Sequence, residues 1–308
     1  MLTQTAVTDE ESFGAHRRRL FGIGALLLVL IVIGAAFVLF QNQNLHRVRI
    51  GGKYGFIDNA GKLVIPPQFE NAGEFHQGLA PVEQNQKWGY IDRHGKLAIA
   101  PQFDLADPFP EEGPALVGSL GKLGYIGKDG KYLINPQYEG AGEFGAGRAP
   151  VVVNGQWGYV DEKGALVIPP QFAEAGTFSD GVASVKMGDR HGYIDKSGKL
   201  VINPQFDVAG DFHDDRAVVK SGDRFGYIDK KGTMVIAPQF DAAGDFGNGL
   251  ALIGMGPVFG YIDKSGKIAI NPQFDKAGNF RDGLAAVWLG ERQGYINREG
   301  KYVWNPSF

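Results

Sequence analysis

Gln156-Trp157-Gly158-Tyr159-Val160-Asp161-Glu162-Lys163-Gly164-Ala165-Leu166-Val167-Ile168-Pro169-Pro170-Gln171-Phe172 contains two short β-type runs and the link that joins them. Tyr159-Val160 and Leu166-Val167-Ile168 are strand formers, and Asp161 to Gly164 is a four-residue connection with Asp first and Gly last. Such a link suits a type I turn closed by a left-handed residue, where glycine has no Cβ to clash. The reading is a β-hairpin, and the same turn is written at Asp92 to Gly95, Asp195 to Gly198, Asp229 to Gly232 and Asp263 to Gly266.

Working outward, the glycine recurs at positions 55, 89, 124, 158, 192, 226, 260 and 294, at intervals of 34 residues with a single 35. Pro-Gln-Phe recurs in step at Pro67, Pro101, Pro136 (with Tyr138), Pro170, Pro204, Pro238 and Pro272, and as Pro-Ser-Phe at Pro306. A period in this range is the mark of a repeat architecture, here seven full units and part of an eighth. After the proline, Phe172 to Phe178 (F-x-x-A-G-x-F) supplies two aromatic plugs, and Gly181 to Val185 alternates as a further strand. No 3.6-residue apolar stripe of useful length occurs beyond residue 45, so the class is all-β.

Single hairpins cannot hide an apolar face, whereas stacked ones bury a continuous core between neighbours. The repeated Gly, the aromatic after it, the Pro and the Phe are therefore packing signals. By contrast, the residue before the glycine runs Tyr54, Trp88, Leu123, Trp157, His191, Phe225, Phe259, Gln293. One shared core niche tolerates no such spread, so this slot is expected to be partly exposed. Exposed aromatics are frequent binding hot spots, which makes Tyr54, Trp88, Trp157, His191, Phe225 and Phe259 the candidate binding residues.

Lys87-Trp88-Gly89-Tyr90-Ile91-Asp92 and Gln156-Trp157-Gly158-Tyr159-Val160-Asp161 resemble the WG-repeat motif of many bacterial surface and conflict-associated proteins. The likeness covers roughly residues 45 to 308, although only Trp88 and Trp157 keep the tryptophan. What the resemblance implies is a β-repeat interaction module without intrinsic catalysis.

Two architectures accommodate these strands. One is an open solenoid or superhelix of hairpin units; the alternative is a closed eight-bladed β-propeller whose last blade is completed by the first strand of the chain. His46-Arg47-Val48 stands seven residues ahead of Gly55 as Ala80-Pro81-Val82 stands ahead of Gly89, which is the arrangement closure requires. A unit of ~34 residues is nevertheless short for a four-stranded blade, which usually takes ~40 to 45. The expectation is the open array.

Ahead of the repeats, Leu20 to Phe40 is uncharged for 21 residues, about 31 Å as a helix, which matches the ~30 Å hydrocarbon core of a bilayer. It reads as a transmembrane helix, since a cleaved signal would have a shorter apolar region and a small-x-small site. His16-Arg17-Arg18-Arg19 abuts the span on one side and Gln41-Asn42-Gln43-Asn44 on the other, which places residues 1–19 in the cytoplasm as a tail. The repeat domain, 41–308, is then periplasmic or extracellular.

Composition and motifs exclude several functions. The chain has 308 residues and a net charge of −3, with no basic stripe to hold nucleic acid. There is no cysteine, hence no disulfide, thiolate metal site or cysteine nucleophile. The six histidines (16, 46, 76, 94, 191, 213) fall in no catalytic motif and read as surface or loop residues, and no symmetry-breaking catalytic constellation, cofactor motif or metal motif is present. The recurrent Asp reads as a turn maker rather than a calcium ligand. The recurrent Gln (68, 102, 137, 171, 205, 239, 273) is expected to form a side-chain ladder between units. Departures from the repeat are Pro108 to Pro114, which carries the extra residue, Asp215 in a glycine position, and Met255-Gly256-Pro257. The functional expectation is a membrane-tethered, non-enzymatic scaffold that presents a repeat surface to a protein, peptide or cell-wall glycan. The alternative is an envelope spacer or assembly factor with no specific small ligand.

Overall fold

The computed structural model describes residues 44–305. The expected tail (1–19) and transmembrane helix (20–40) lie outside them. Among the described residues no helix is long and apolar enough to cross a membrane.

The chain starts with β1 (His46–Ile50), β2 (Lys53–Ile57) and β3 (Leu63–Phe69), an antiparallel three-stranded sheet. It continues with β4 (Asn71–Ala72), β5 (Leu79–Gln84), β6 (Lys87–Asp92) and β7 (Leu97–Phe103), a four-stranded one. Six further sheets follow, so the described residues form eight blades, covering 46–69, 71–103, 105–138, 148–172, 174–206, 208–240, 242–274 and 276–304.

The hairpin turn between β6 and β7 shows why its residues recur. The Asp92 carbonyl accepts from Gly95 N at 2.9 Å, while its Oδ1 accepts from His94 N at 2.9 Å and Lys96 N at 3.0 Å. Gly95 stands at φ +81. The carboxylate thus caps amides of its own turn, as Asp161, Asp195, Asp229 and Asp263 do in theirs. This bears out the turn-making reading.

The co-recurrence of Gly and Pro has an equally local cause. Trp157 pairs with Phe172 and Tyr159 with Ile168, so residues 169–171 bulge opposite Gly158. A Cβ on Gly158 would lie 2.6 Å from the Ile168 carbonyl oxygen and 2.7 Å from Pro170 N. Only glycine allows the bulged strand so close, and proline brings no N–H to be left unpaired there. Gly55, Gly89, Gly124, Gly192, Gly226 and Gly260 meet the equivalent carbonyl at 2.5 or 2.6 Å.

The core lies between blades. Tyr90, fully buried in the second blade, packs on Phe109 of the third at 5.2 Å between centroids, and its hydroxyl donates to the Asp107 carbonyl at 2.8 Å. Tyr125–Phe144, Tyr159–Phe178, Tyr193–Phe212, Tyr227–Phe246 and Tyr261–Phe280 repeat the pair, each with a hydroxyl bond to a carbonyl of the next blade. Each aromatic pair contributes ~0.5–1.5 kcal/mol beyond burial.

The eighth junction joins the last blade to the first. Tyr295 stacks against His46 at 5.5 Å and donates to the Arg47 carbonyl at 2.8 Å. Val48, Ile57, Leu284 and Tyr295 form one buried cluster, flanked by Val303 and Trp304. Gly61 meets the Trp304 strand where Gly95 meets Ile65 one blade on. The ring is therefore closed, an eight-bladed β-propeller, and the open array expected from unit length is corrected. Four strands fit because the inner one shrinks to two residues in four blades, as in β4 and in Leu105–Ala106, and is six long in Val208–His213 and Ala242–Gly247, and a two-residue turn joins the next two strands. The shared-strand closure is corrected as well: β1 belongs to the first blade, and among the described residues no strand is exchanged. Closure is by side chains. The glutamine ladder is also absent among the described residues; Gln171 instead donates to Pro169 O of its own strand at 3.4 Å.

Candidate functional site

The A-G-x-F segments, A-D-P-F in the third blade, line the inner side of the ring, where x is Glu74, Pro108, Glu143, Thr177, Asp211, Asp245 or Asn279. The small Ala and Gly let the segment lie flat against its blade; a Cβ on Gly142 would come 2.8 Å from the Pro150 ring. The buried Phe anchors it to the preceding Tyr, which aims x at the axis. Two adjoining cavities of about 530 and 590 Å³ share Glu111, His213 and Arg281, and between them they touch all eight blades. They are the axial opening of the propeller.

Its wall breaks the eightfold repeat. Arg281 Nη1 meets His76 Nε2 at 2.6 Å, joining loops 205 residues apart in sequence. Donation by the guanidinium requires an unprotonated imidazole nitrogen. Burial and the Arg281 charge agree with that, pushing the His76 pKa down to about 4 against the opposing pull of Asp282. Arg47 Nε pairs with Glu74 at 3.1 Å and its Nη1 donates to Ala72 O at 2.6 Å.

The carboxyls share one behaviour. Burial raises the Asp211 pKa to about 6, with Asp245 adding to the rise while the Ser184 hydroxyl and His213 oppose it. Glu143 is raised by burial, with Asp107 and Asp211 adding and Arg281 opposing. Burial likewise raises Glu74 against Arg47, and Asp245 against His213. Carboxylates that feel one another across a concave, poorly hydrated wall resist ionising together. Among the described residues no group of three or more metal-type side chains is close enough to hold an ion.

The extra residue of the third blade also sits here. The carbonyls of Pro110 and Glu111 accept from the Gln77 side-chain amide of the neighbouring blade, the second at 2.6 Å, and Glu111 reaches both axial cavities. Asp215 adopts φ +64, as its glycine position requires, and its carboxylate pairs with Lys230 at 2.8 Å.

The six candidate binding residues are placed elsewhere. Tyr54, Trp88, Trp157, Phe225 and Phe259 are half-buried, one per blade, each paired across the sheet with the Phe of Pro-Gln-Phe. His191 is more buried, at 8% exposure, with Nε2 3.9 Å from Glu174; burial lowers its pKa although Glu174 favours its charge. The structure spreads these six around the ring, one per blade. Tyr54 borders a cavity between the first and last blades. The axial residues carried one sequence signal, the repeated acid at x in A-G-x-F.

Eight four-stranded or near-four-stranded blades around a polar axis define a β-propeller, a repeat fold that commonly mediates protein binding. The chain belongs to the WG containing repeat family, whose description matches residues 54–88, 88–118, 124–157, 157–190, 192–224, 225–256 and 259–290. A comparison with curated proteins finds no match. Among solved structures, a eukaryotic initiation factor is similar with a TM-score of 0.54 at 10% identity, over 85% of this chain and 95% of that one. Dihydro-heme d1 dehydrogenase NirN in complex with DHE gives 0.56 at 12%, over 85% and 72%. KlHsv2 with loop 6CD replaced by a Gly-Ser linker gives 0.50 at 8%, over 73% and 91%. At such identities the likeness shows the fold alone.

Proposed function

We propose that this chain is a non-enzymatic binding scaffold, tethered to a membrane by residues 20–40 with its N-terminus cytoplasmic, that presents the propeller to a protein or peptide outside the cytoplasm. The observation that carries the reading is the axial opening. It is concave, touches all eight blades, and is lined by side chains that break the repeat, Glu111, His213 and Arg281 foremost. A uniform spacer has no need of such a wall. Charge gathered on a concave wall is partly desolvated, as the raised Asp211 shows, and is suited to orienting a partner's polar groups. A cell-wall glycan is the second partner class, favoured by the half-buried Trp88 and Trp157 on the blades.

Site-specific photo-crosslinking separates the two. A crosslinker at Glu111 is expected to trap a polypeptide in intact cells, and Asp211→Asn with Glu143→Gln should diminish that product. Trapping only at Trp88 and Trp157, with none at Glu111, would remove the axial reading.

A further inference from the structure

The first blade differs from the others at its inner edge. In the second blade the inner strand lies along β5, where Glu70 N donates to Glu83 O at 3.1 Å and Gly73 N to Pro81 O at 2.8 Å. By register, Arg49 and Arg47 of β1 stand where Glu83 and Pro81 stand in β5, each opposite the equivalent residue of the next strand. The Arg47 carbonyl does face the inner side, since Tyr295 of the last blade donates to it. Among the described residues β1 has no inner strand, and its edge borders a cavity of about 540 Å³ with Arg49, Gly51 and Tyr54 on one side and Trp288, Gln293 and Trp304 on the other.

The other junctions show what that space accepts. Each is crossed by a segment that follows Pro-Gln-Phe (Pro-Gln-Tyr once) and begins, six times in seven, with an acid: Glu70, Asp104, Glu139, Asp207, Asp241 and Asp275. One oxygen of the aspartate accepts from the first amide of the next blade's turn, Leu120 N, Gly222 N or Gly256 N at 2.8 Å and Gly290 N at 2.6 Å. Those turn residues have φ of +52, +63, +59 and +60, and Gly51 has φ +59. Gly51 is thus the same amide donor, presented to the cavity between first and last blades. The segment goes on to Ala and, except at Asp107, Gly; at every such glycine but Gly278 a larger residue would strike a neighbouring side chain, and on Gly73 a Cβ would lie 2.6 Å from Pro81. Beyond that glycine the first blade diverges. His46 fills, against Tyr295, the place that Phe75 and its counterparts take elsewhere. Arg49, exposed, borders the cavity beside the Gly51 amide, so an acid placed there meets both a cation and an amide donor.

We propose that this edge is a strand-addition site for an extended segment of a partner protein with the pattern aromatic, acid, any residue, Ala, Gly. The segment lies antiparallel to β1 as an added inner strand. Its acid meets the Gly51 amide and Arg49, its glycine amide donates to the Arg47 carbonyl, and the aromatic stacks between Tyr54 and Trp304. Main-chain pairing supplies affinity and the small Ala-Gly step supplies selectivity. This deepens the binding reading but uses a site separate from the axial opening, so either can fail alone.

The test is fluorescence anisotropy with the full-length chain in mild detergent and a labelled peptide, Phe-Asp-Ala-Ala-Gly-Asp, the sequence of residues 240–245. Saturable binding is expected, weakened at least tenfold by Lys in place of the peptide's first Asp or Val in place of its Gly. Arg49→Glu, an exposed position, should weaken it similarly, while Asp211→Asn leaves it unchanged and the Arg49 amide exchanges more slowly with peptide present. Absence of saturable binding, equal binding of a scrambled peptide, or sensitivity to Asp211→Asn in place of Arg49→Glu would each overturn the proposal. So would much tighter binding to a chain lacking residues 1–19, since that would make the chain's own tail the occupant.

Discussion

Replacing Gly158 by Ala adds one methyl at the most crowded backbone position of the fourth blade. The added carbon would stand 2.6 Å from the Ile168 oxygen and 2.7 Å from Pro170 N, where ordinary carbon–oxygen contacts need well over half an ångström more. Both obstacles are backbone, and proline's fixed φ limits the retreat on one side. Overpacking of this type costs ~1–3 kcal/mol, and the rigid neighbours argue for about 3 kcal/mol. At roughly 2–4 °C per kcal/mol for a domain this large, the melting temperature should fall by about 6–12 °C. Gly278→Ala is the control, since its nearest atom is 3.7 Å away and its φ is ordinary; it should stay within ~0.5 kcal/mol of the parent. Gly155→Ala lies between, with open space but φ +77, a left-handed penalty of ~1–2 kcal/mol. Thermal unfolding of the three variants at one scan rate gives the ranking. Equal melting temperatures for Gly158→Ala and Gly278→Ala would refute the steric account of the repeat glycine.

Tyr159→Phe removes the hydroxyl bond to Gly176 O of the next blade, and denaturant melts should show a loss of about 1 kcal/mol with the fold intact, as the natural Phe56 at the equivalent position leads one to expect. Asp211→Asn probes the axial wall through pH. Because the folded-state pKa of Asp211 is raised, to about 6, the native protein binds that proton more tightly than the unfolded chain does, so its contribution to stability grows as pH falls through 6 and is smallest above it. The Asn variant should therefore melt higher than the parent at pH 7 to 8, with the gap closing toward pH 4. His76, held down near 4 from 6.5, acts in the opposite sense, losing stability as pH falls, but it is common to both proteins and cancels in the difference. Deleting residues 158–191, one whole unit, should abolish the cooperative transition seen by calorimetry, because seven blades of this curvature leave the Tyr295–His46 junction apart; a spacer array would melt almost as before.

The hairpin, the period and the all-β class were legible because each rests on local rules: Asp and Gly at fixed turn positions, and alternation in Gly181 to Val185. Closure was not, because it depends on two features with weak local signals. The inner strand is as short as Asn71–Ala72, too brief for any alternation to register, so four strands in ~34 residues looked too many. The last contact is made by His46 and Tyr295, a pair 249 positions apart that departs from the Tyr–Phe pattern. The slot before each repeat glycine is half-buried, as read, at every position except His191, which is buried; its side chains face the Phe of Pro-Gln-Phe or Tyr138 across the sheet. The axial wall went unread for a different reason. Its acids recur only at Glu74, Glu143, Asp211 and Asp245, and nothing in a linear pattern says that position x converges on one axis. Only the ring geometry gathers residues that are each, in their own unit, an ordinary exposed acid.

Ring closure is the claim on which the axial opening and the strand-addition site both depend, and a distance across the first and last blades tests it most directly. The chain has no cysteine, so Ala60→Cys and Tyr302→Cys, both exposed, accept spin labels without background. Double electron–electron resonance on the full-length chain should give a narrow distribution below about 20 Å, because Gly61 packs against Val303 and Trp304. An open stack of eight sheets at ~10 Å spacing would instead separate the labels by about 70 Å, and a distance of that order would contradict the closed propeller.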